Sequence, residues 1–296
     1  MSRPSERYAG RRTVGDDREA GRLLQARRTV VDLLDRPRHE GGTRQRQILL
    51  HAGFVVLEEV EGPDFGTGSE RRWLFGYAER DGYLGWAAGS DLAEPADAFT
   101  HVVAAPRTYL YGRPELKAGD EPLYVSHGTR LAAGPTFEDG RWTEVSRLRE
   151  DEHECKTTST FYVPIAHLRP LDAPESDPAA VAERLIGTPY LWGGNSGFGI
   201  DCSGMVQAAL HACGIDCPGD SDLQEAIGQD IPPDAPLRRG DLVFWRGHVA
   251  MMRDAETMVH ANARAMAVSV EGFAEACARI EAQGDGGVTA RRRVAG

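Results

Sequence analysis

Apolar residues recur at helical spacing in one stretch of the chain, directly after Asp201-Cys202-Ser203-Gly204. Successive apolar positions in this stretch are one or three residues apart and share one helical face: Met205, Ala208, Ala209 and Ala212. Asp201 is a favoured N-cap, and Gly214 is a favoured residue just past a helix end. The pattern therefore predicts a helix whose first residue is Cys202.

Short apolar runs follow this helix, and two of them carry a histidine. The sequence from Arg239 to Met252 predicts two strands joined by a turn at Arg246-Gly247, with His248 at the start of the second strand. Residues 257–262 predict a further strand that contains His260. Two strand histidines thus come after a cysteine at a helix start.

Residues 29–170 show a different pattern, in which short apolar runs alternate with turn residues. Residues 73–77 and 83–87 flank the turn Arg80-Asp81-Gly82, which predicts a hairpin. A second set of runs closes on Leu168 much as the first closes on Leu92. We interpret the two sets as an imperfect tandem repeat of small β-barrels.

These patterns divide the chain into five predicted segments. They are an N-terminal arm (1–27), a first barrel (28–96), a second barrel (97–170), a proline-bearing acidic linker (171–177) and a C-terminal domain (178–296). The arm is predicted to contain a short helix at residues 16–26. A charged insert at residues 147–157 predicts an exposed hairpin tip. A helix from Pro178 to Ile186 is predicted to open the last domain.

Composition narrows the choice of partners and compartment. The chain has 296 residues and a formal net charge of −11, which disfavours nucleic acid or an anionic membrane as the main partner. The sequence shows no signal-peptide or membrane-spanning pattern. Its five cysteines show no disulfide framework, so we expect a cytoplasmic location with reduced thiols.

Cys202 is the candidate for chemistry. At a helix start, the helix dipole and unpaired amide groups favour a thiolate. A cysteine nucleophile also needs a base and a group that orients the base, and His248 and His260 can supply them. A small buried cysteine that only packs the helix start fits the local pattern equally well. His211, Cys213 and Cys217 lack zinc-like spacing, so we predict no metal and no cofactor.

Five successive motifs resemble those of the NlpC family of papain-like cysteine peptidases, which cut bacterial cell-wall peptides. They are Tyr190-x-Trp-Gly-Gly, Asp-Cys202-Ser-Gly, Gly-Asp241-Leu-x-Phe-Trp, Gly-His248-Val-Ala and Val-His260-Ala. The resemblance implies an α+β papain-like domain with Cys202 as nucleophile, His248 as base and His260 as orienting residue. Residues 81–92 also resemble the final hairpin of a bacterial SH3-like domain, so the expected fold is two all-β SH3-like barrels followed by this domain.

The resemblance further implies a set of substrate contacts. In relatives with SH3-like domains, the residues matching Asp201 and Ser203 help to hold the free N-terminal ammonium of the substrate, and an aromatic matching Tyr83 closes the pocket. A barrel-edge position for Tyr83 is the alternative. Trp192 and Trp245 can line a pocket or pack in a core. Such relatives also use a glutamate where this chain has His51-Ala52-Gly53.

The resemblance thus implies a peptidase that cuts the γ-D-Glu–L-diamino acid bond of cell-wall peptides and releases L-Ala-γ-D-Glu. A short linker keeps the barrels close enough to the catalytic domain to wall off one side of its groove. With no leader, imported wall fragments are the expected substrates. The alternatives are a broader cell-wall endopeptidase, or a wall-binding module with an inactive or acyltransferase-type papain-like domain. The sequence does not decide between lysine and diaminopimelate at the third position of the substrate peptide, and it does not determine the oligomeric state.

Overall fold

The computed structural model of the protein describes residues 2–63, 70–95, 98–117, 119, 121–150 and 156–294. The chain divides into two compact units, Met1–Ala173 and Pro174–Gly296. The division falls inside the linker predicted at residues 171–177. No helix in the described ranges is long and apolar enough to cross a bilayer.

The N-terminal unit is built almost entirely of β-structure. Its one short α-helix, α1, spans Pro4–Arg7, and turns of 3-10 helix span Arg38–Glu40, Gly89–Asp91 and Ile165–His167. Its strands are β1 (Arg22–Ala26), β2 (Val30–Leu34), β3 (Arg44–Leu49), β4 (Gly53–Pro63), β5 (Glu70–Ala78), β6 (Leu84–Ala88), β7 (Leu92–Ala93), β8 (His101–Val103), β9 (Arg107–Leu110), β10 (Leu123–Ser126), β11 (Arg130–Leu131), β12 (Ala133–Phe137), β13 (Trp142–Glu150), β14 (Lys156–Pro164) and β15 (Leu168–Pro170).

Strands β1 to β7 form one curled antiparallel sheet in the order β3-β2-β6-β5-β4-β1-β7. The hairpin predicted across Arg80-Asp81-Gly82 is confirmed, because β5 pairs with β6 up to Tyr77 opposite Leu84. Alternating side chains of this sheet fill two apolar clusters, one around Phe54 and the other around Trp86. Burial of these side chains provides the main driving force for the sheet.

The helix predicted at residues 16–26 is wrong. Residues 22–26 form β1, which pairs with β4 from Arg22 opposite Val56 and with β7 at Ala26 opposite Leu92. Leu24 and Ala26 are both buried, so burial in this segment follows the two-residue period of a strand. Pairing with segments far along the chain overrides the local helical pattern.

Residues 101–170 form three smaller sheets with the orders β10-β9, β11-β8-β15 and β12-β13-β14. Their shared core contains Val103, Leu110 and Val145. Strands β13 and β14 form the hairpin expected around the charged insert, and residues 151–155 at its tip lie outside the described residues. Residues 96–97 between the two predicted barrels also lie outside them. The SH3-like character of the two sets stays a prediction.

The C-terminal unit is α+β. Its helices are α2 (Pro178–Arg184), α3 (Cys202–Ala212), α4 (Ser221–Gln224) and α5 (Phe273–Ala282). Its strands are β16 (Asn195–Ser196), β17 (Gly199–Ile200), β18 (Gln229–Asp230), β19 (Leu242–Trp245), β20 (His248–Met252), β21 (Thr257–Asn262), β22 (Ala267–Gly272) and β23 (Ala290–Arg293). The main sheet has the order β18-β23-β19-β20-β21-β22.

Helix α3 packs against the middle of this sheet and positions the candidate site. Met205 and Leu210 on α3 share a fully buried cluster with Val249 on β20 and Val259 on β21. The hairpin predicted at Arg246-Gly247 joins β19 to β20, with Trp245 opposite His248. The core thus brings the start of α3 to the strands that carry both predicted histidines.

Candidate active site

Cys202 is the first residue of α3, as the sequence predicts, and its side chain is 7% exposed. Asp201 is the N-cap, with an extended backbone and a side chain that accepts a hydrogen bond from the Gly204 amide at 2.7 Å. This is the capping bond expected at a helix start. Cys202 is therefore held at a fixed place by the helix that it begins.

The Asp201 carboxylate also ties the preceding glycine-rich loop to the helix. Its Oδ1 accepts from the Ser203 hydroxyl at 2.9 Å, and its Oδ2 accepts from the Gly193 amide at 2.9 Å. Both carboxylate oxygens thus have partners within the unit. The ammonium-binding role of Asp201 and Ser203 stays a prediction. The structural role that both residues have is to join the loop to the start of the helix.

Gly204 allows the loop and the helix to touch through their backbones. A Cβ at this position would overlap the Gly194 carbonyl oxygen and lie 2.7 Å from Oδ1 of Asn195. Since real Cβ atoms do not approach other atoms so closely, residue 204 must be glycine for the loop to pack here. The close approach explains the glycine that ends the Asp-Cys-Ser-Gly motif.

The two predicted histidines are hydrogen-bonded to each other. Nε2 of His248 lies 2.8 Å from Nδ1 of His260, and the rings are 5.1 Å apart at an angle of 61°. His248 is half-buried, whereas His260 is 0% exposed. The bond leaves Nδ1 of His248 as the nitrogen that can take a proton from another group.

The Cys202 thiol sits beside the strand that His248 begins. Backbone hydrogen bonds from Val249, Ser203 and Cys202 itself favour the thiolate, but burial and the charge of Asp201 outweigh them and raise the pKa of Cys202 to about 12. Burial lowers the pKa of His248 to about 3. The expectation that the helix start favours a thiolate therefore does not hold in this enclosed site. Near pH 7 the thiol and the imidazole are both neutral.

Behind His260 lies a carboxylate that the sequence did not reveal. Oε2 of Glu271 is 3.1 Å from Nε2 of His260, and Glu271 is in turn bound by Arg279 and Arg264. Burial, the first cause, lowers the pKa of His260 to about 4 although Glu271 opposes it. Glu271 lies eleven residues beyond His260 on β22, so only the pairing of β21 with β22 brings the two together.

Tyr190 is a second residue of the site that the sequence alone did not identify. Burial, followed by the charges of Cys202 and Asp201, raises the pKa of this half-buried phenol to about 12. The hydroxyl is therefore protonated at neutral pH and is a hydrogen-bond donor near the thiol. The sequence contained Tyr190 in a motif without assigning it a role.

The two tryptophans for which the sequence allowed either a pocket or a core position differ in their exposure. Trp192 is 68% exposed, in the loop before Cys202, so it is not a core residue. Trp245 is 1% exposed and packs with Ile231 and Met258 in a cluster on the sheet. Of the two, Trp192 is the one with an exposed side chain, and its substrate-binding role stays a prediction.

Tyr83 belongs to the N-terminal unit. Its side chain is buried in the apolar cluster that contains Phe54, and the Arg46 guanidinium lies 5.7 Å from the ring centroid. Its role in closing a substrate pocket stays a prediction. In the same unit, the carboxylate of Glu79 packs on Gly53, where a Cβ would overlap it. An acid is thus present beside Gly53, although it comes from the turn that follows β5.

His211 and Cys217, considered above as metal ligands, are engaged locally. Nε2 of His211 lies 3.2 Å from the Cys217 carbonyl oxygen. Within the described ranges, no group of three or more histidine, cysteine, aspartate or glutamate residues could hold a metal ion. The cysteines described, at positions 202, 213, 217 and 277, are free thiols.

Comparison with known proteins places this site in a family. Residues 187–280 match the model of the NlpC/P60 family. Two relatives are named gamma-D-glutamyl-L-lysine dipeptidyl-peptidase. The one from Bacillus cereus is 30% identical over 197 residues, which is 61% of this chain and 56% of the relative. The one from Bacillus subtilis is 44% identical over 61 residues, which is 21% of this chain and 20% of the relative. The matches thus span between a fifth and just over half of these relatives.

A solved structure extends the likeness in fold to nearly the whole chain. The crystal structure of an NlpC/P60 family protein from Bacillus cereus superimposes with a TM-score of 0.69 at 20% identity, and it covers 92% of this chain and 99% of that one. The family predicted from the sequence is confirmed for the C-terminal unit, in which residues 187–280 form a domain of the NlpC/P60 family.

Proposed function

We propose that the protein hydrolyses the bond between γ-D-glutamate and an L-diamino acid in peptides derived from peptidoglycan, and releases L-Ala-γ-D-Glu. The substrate class follows the two Bacillus relatives, whose names specify a γ-D-glutamyl-L-lysine dipeptidyl-peptidase. In this proposal Cys202 is the nucleophile, His248 is the general base and His260 orients His248.

One observation carries the proposal: two histidines that are hydrogen-bonded to each other lie on the strands packed against the helix that Cys202 begins. The 2.8 Å contact between His248 Nε2 and His260 Nδ1 fixes the ring of His248. The backbone contact between Cys202 and Val249 places the thiol next to the residue that follows His248. A nucleophile, a base and an orienting group in this order are the parts that covalent acyl transfer needs.

The attack starts from neutral partners. Nδ1 of His248 takes the thiol proton while sulfur forms a bond to the γ-glutamyl carbonyl carbon, so the imidazolium exists only once negative charge has moved to the substrate oxygen. The Cys202 amide at the helix start can donate to that oxygen, and the Tyr190 hydroxyl supplies a second donor. Fixed donors of this kind favour the tetrahedral intermediate over the ground state.

Collapse of the intermediate breaks the carbon–nitrogen bond. Nδ1–H of His248 gives its proton to the departing amine of the diamino acid, which leaves a thioester on Cys202. His248, neutral again, then removes a proton from water as the water oxygen attacks the thioester. The carbon–sulfur bond then breaks, and His248 returns its proton to sulfur, so that the γ-glutamyl carboxyl group is released and the Cys202 thiol is restored.

The proposal includes recognition of a free N-terminal L-Ala, to which Asp201, Ser203, Tyr83 and Trp192 are assigned. A buried carboxylate that binds an ammonium is favourable only while the ammonium is charged. N-acetylation of the peptide, or an attached muramic acid, should therefore block cleavage. A broader endopeptidase would cleave the free and the acetylated peptide alike.

The test is incubation of the protein with L-Ala-γ-D-Glu-L-Lys and its diaminopimelate analogue, followed by mass spectrometry. We expect L-Ala-γ-D-Glu and the free diamino acid from at least one of them, and no cleavage by Cys202→Ala. Activity that survives Cys202→Ala would identify a different nucleophile. Equal rates for free and N-acetylated tripeptide would leave the peptidase intact and remove the N-terminal requirement.

A further inference from the structure

We propose that Glu271 is a positioning residue that fixes the tautomer of His260 and thereby determines which nitrogen of His248 is free to act as the base. The proposal rests on the function proposed above for His248. Its geometric basis is a continuous chain of contacts from His248 Nε2 to His260 Nδ1 at 2.8 Å, and from His260 Nε2 to Glu271 Oε2 at 3.1 Å.

The pairing of two strands builds this chain. His260 on β21 is opposite Ser269 on β22, and Glu271 is two residues further along β22. Residues two apart on a strand share a face, so Glu271 is the diagonal neighbour of His260 on the adjacent strand. Its side chain is 10% exposed, and that of His260 is 0% exposed. Water therefore competes little for the contact between them.

The Glu271 carboxylate determines which ring nitrogens of His260 and His248 carry a proton. An ionised glutamate only accepts hydrogen bonds, so Nε2 of a neutral His260 must carry the proton that faces it. Nδ1 of His260 is then an acceptor, and Nε2 of His248 must be the donor to it. Nδ1 of His248 is left with a lone pair, which is the state that a general base requires.

Arg279 keeps Glu271 ionised and in place, and the exposed Arg264 adds one peripheral contact. Arg279 on α5 binds both carboxylate oxygens, with Nε 2.9 Å from Oε1 and Nη2 2.7 Å from Oε2. Arg264, in the turn after β21, binds Oε1 alone at 2.9 Å. The Arg279 side chain is 20% exposed, whereas that of Arg264 is 64% exposed. The hydrogen bonds from Arg279, opposed by burial, lower the pKa of Glu271.

Charged groups reach the two rings from several directions, and their effects have opposite signs. Glu271 raises the pKa of His248 and of His260, whereas Arg279 lowers both. On the side of the Cys202 thiol, the charged neighbour is the Asp201 carboxylate, and the Tyr190 phenol is neutral. Loss of the Glu271 charge should therefore leave His248 a weaker base, in addition to any effect on the tautomer.

Glu271→Gln is the informative substitution, because every neighbour of the carboxylate is a donor. Arg279 donates to both oxygens, so the amide nitrogen of glutamine must face an N–H group at either position. Where it faces His260, that ring has to accept at Nε2 and carry its proton on Nδ1. His248 then accepts at Nε2 and holds its proton on Nδ1, where no base remains.

The experiment measures the tautomers directly by ¹⁵N NMR of the full-length protein labelled at histidine. The chain has nine histidines, and the spectra of His248→Gln and His260→Asn assign the two signals. We expect the Nε2–H tautomer for both rings in the wild type and a mixture or reversal in Glu271→Gln. An Nδ1–H tautomer of His260 in the wild type overturns the proposal, whatever the variants do.

Kinetics provide the second readout. In Glu271→Gln we expect kcat to fall about tenfold or more with KM unchanged, and the rate of Cys202 alkylation by iodoacetamide at pH 7 to fall in parallel. The matched control Arg264→Gln should stay within about twofold, since Arg279 still holds both oxygens. Arg279→Gln keeps the Glu271 carboxylate but removes the side chain that holds both of its oxygens, so kcat should fall by an intermediate factor. This variant replaces Glu271→Gln in the test if Glu271→Gln does not fold.

The two proposals can fail separately. If the protein cleaves neither peptide, the tautomers and the alkylation rates still decide the role of Glu271. If Glu271→Gln keeps wild-type tautomers and a wild-type alkylation rate, Glu271 is only structural even when the peptidase is active.

Discussion

His248 and His260 act as one unit, because Nε2 of the first lies 2.8 Å from Nδ1 of the second across neighbouring strands. The bond leaves Nδ1 of His248 without a role in the pair, and His260 presents its other nitrogen to Glu271. The tautomers of the two rings are therefore coupled, because one ring must donate where the other accepts.

The first prediction concerns this dependence. His260→Ala removes the acceptor for His248 Nε2–H, so the base loses its orientation, and we expect kcat to fall by about 10²–10⁴-fold. The control His211→Ala removes a histidine of the same unit whose Nε2 lies 3.2 Å from the Cys217 carbonyl oxygen, and it should stay within about twofold. Steady-state cleavage of the tripeptide gives both values. A loss confined to KM would contradict an orienting role.

The second prediction separates the two roles of Asp201. Asp201→Ala deletes the helix cap and should lower the free energy of unfolding by about 1 kcal/mol. Asp201→Asn keeps an acceptor for Gly204 but removes the charge that raises the pKa of Cys202, so alkylation near pH 8 should become faster. Urea unfolding and iodoacetamide kinetics measure the two effects. Should Asp201→Asn instead leave the thiol unchanged and raise KM for peptides with a free amine, its main role would be substrate binding.

The third prediction tests the close approach at Gly204. Gly204→Ala places a methyl group against the Gly194 carbonyl and Asn195, and the shift needed to relieve the overlap should destabilise the protein by about 1–3 kcal/mol. Cys202 is two residues away and should move with the helix start, with loss of cleavage. The control Ala208→Gly lies on the same helix and costs about 1 kcal/mol in helix propensity, together with the packing of one partly buried methyl group. It should leave kcat unchanged, and equal kinetic losses in both variants would argue against the contact.

The fourth prediction is a loss of stability in acid. The pKa values of His248 and His260 are lowered to about 3 and about 4, so the unfolded chain binds more protons than the folded one below pH 6.5. Their contribution to stability is complete above pH 6.5 and is lost as the pH falls towards those values. Each histidine that stays neutral in the folded state should cost about 1.4 kcal/mol per pH unit within this window.

Urea unfolding at pH 6.5 and pH 5, followed by the amide signals of Val249 and Ala261, measures this loss in the C-terminal unit. His260→Asn removes one of the two groups and should lose less stability between these pH values than the wild type. An equal loss in both proteins would place the acid sensitivity elsewhere.

Local interactions explain which parts of the site could be predicted from the sequence. Asp201 caps a helix through an amide three residues away, and Gly247 has the left-handed backbone that the turn between β19 and β20 requires. Such features depend on neighbours in the chain, so the start of α3 at Cys202, the hairpin before His248 and the strand that carries His260 were all predicted correctly. The order of the motifs was enough to identify the family.

Only the tertiary structure decided the properties that depend on contacts between distant segments. Residues 22–26 are a strand because β4 and β7 pair with them, although their local pattern fits a helix. Cys202 is a neutral thiol because the packed unit excludes water, which outweighs the effect of a helix start. Glu271 reaches His260 because β21 and β22 pair in one register. Burial and register are set by the whole fold, and for that reason the spacing of residues along the chain does not reveal them.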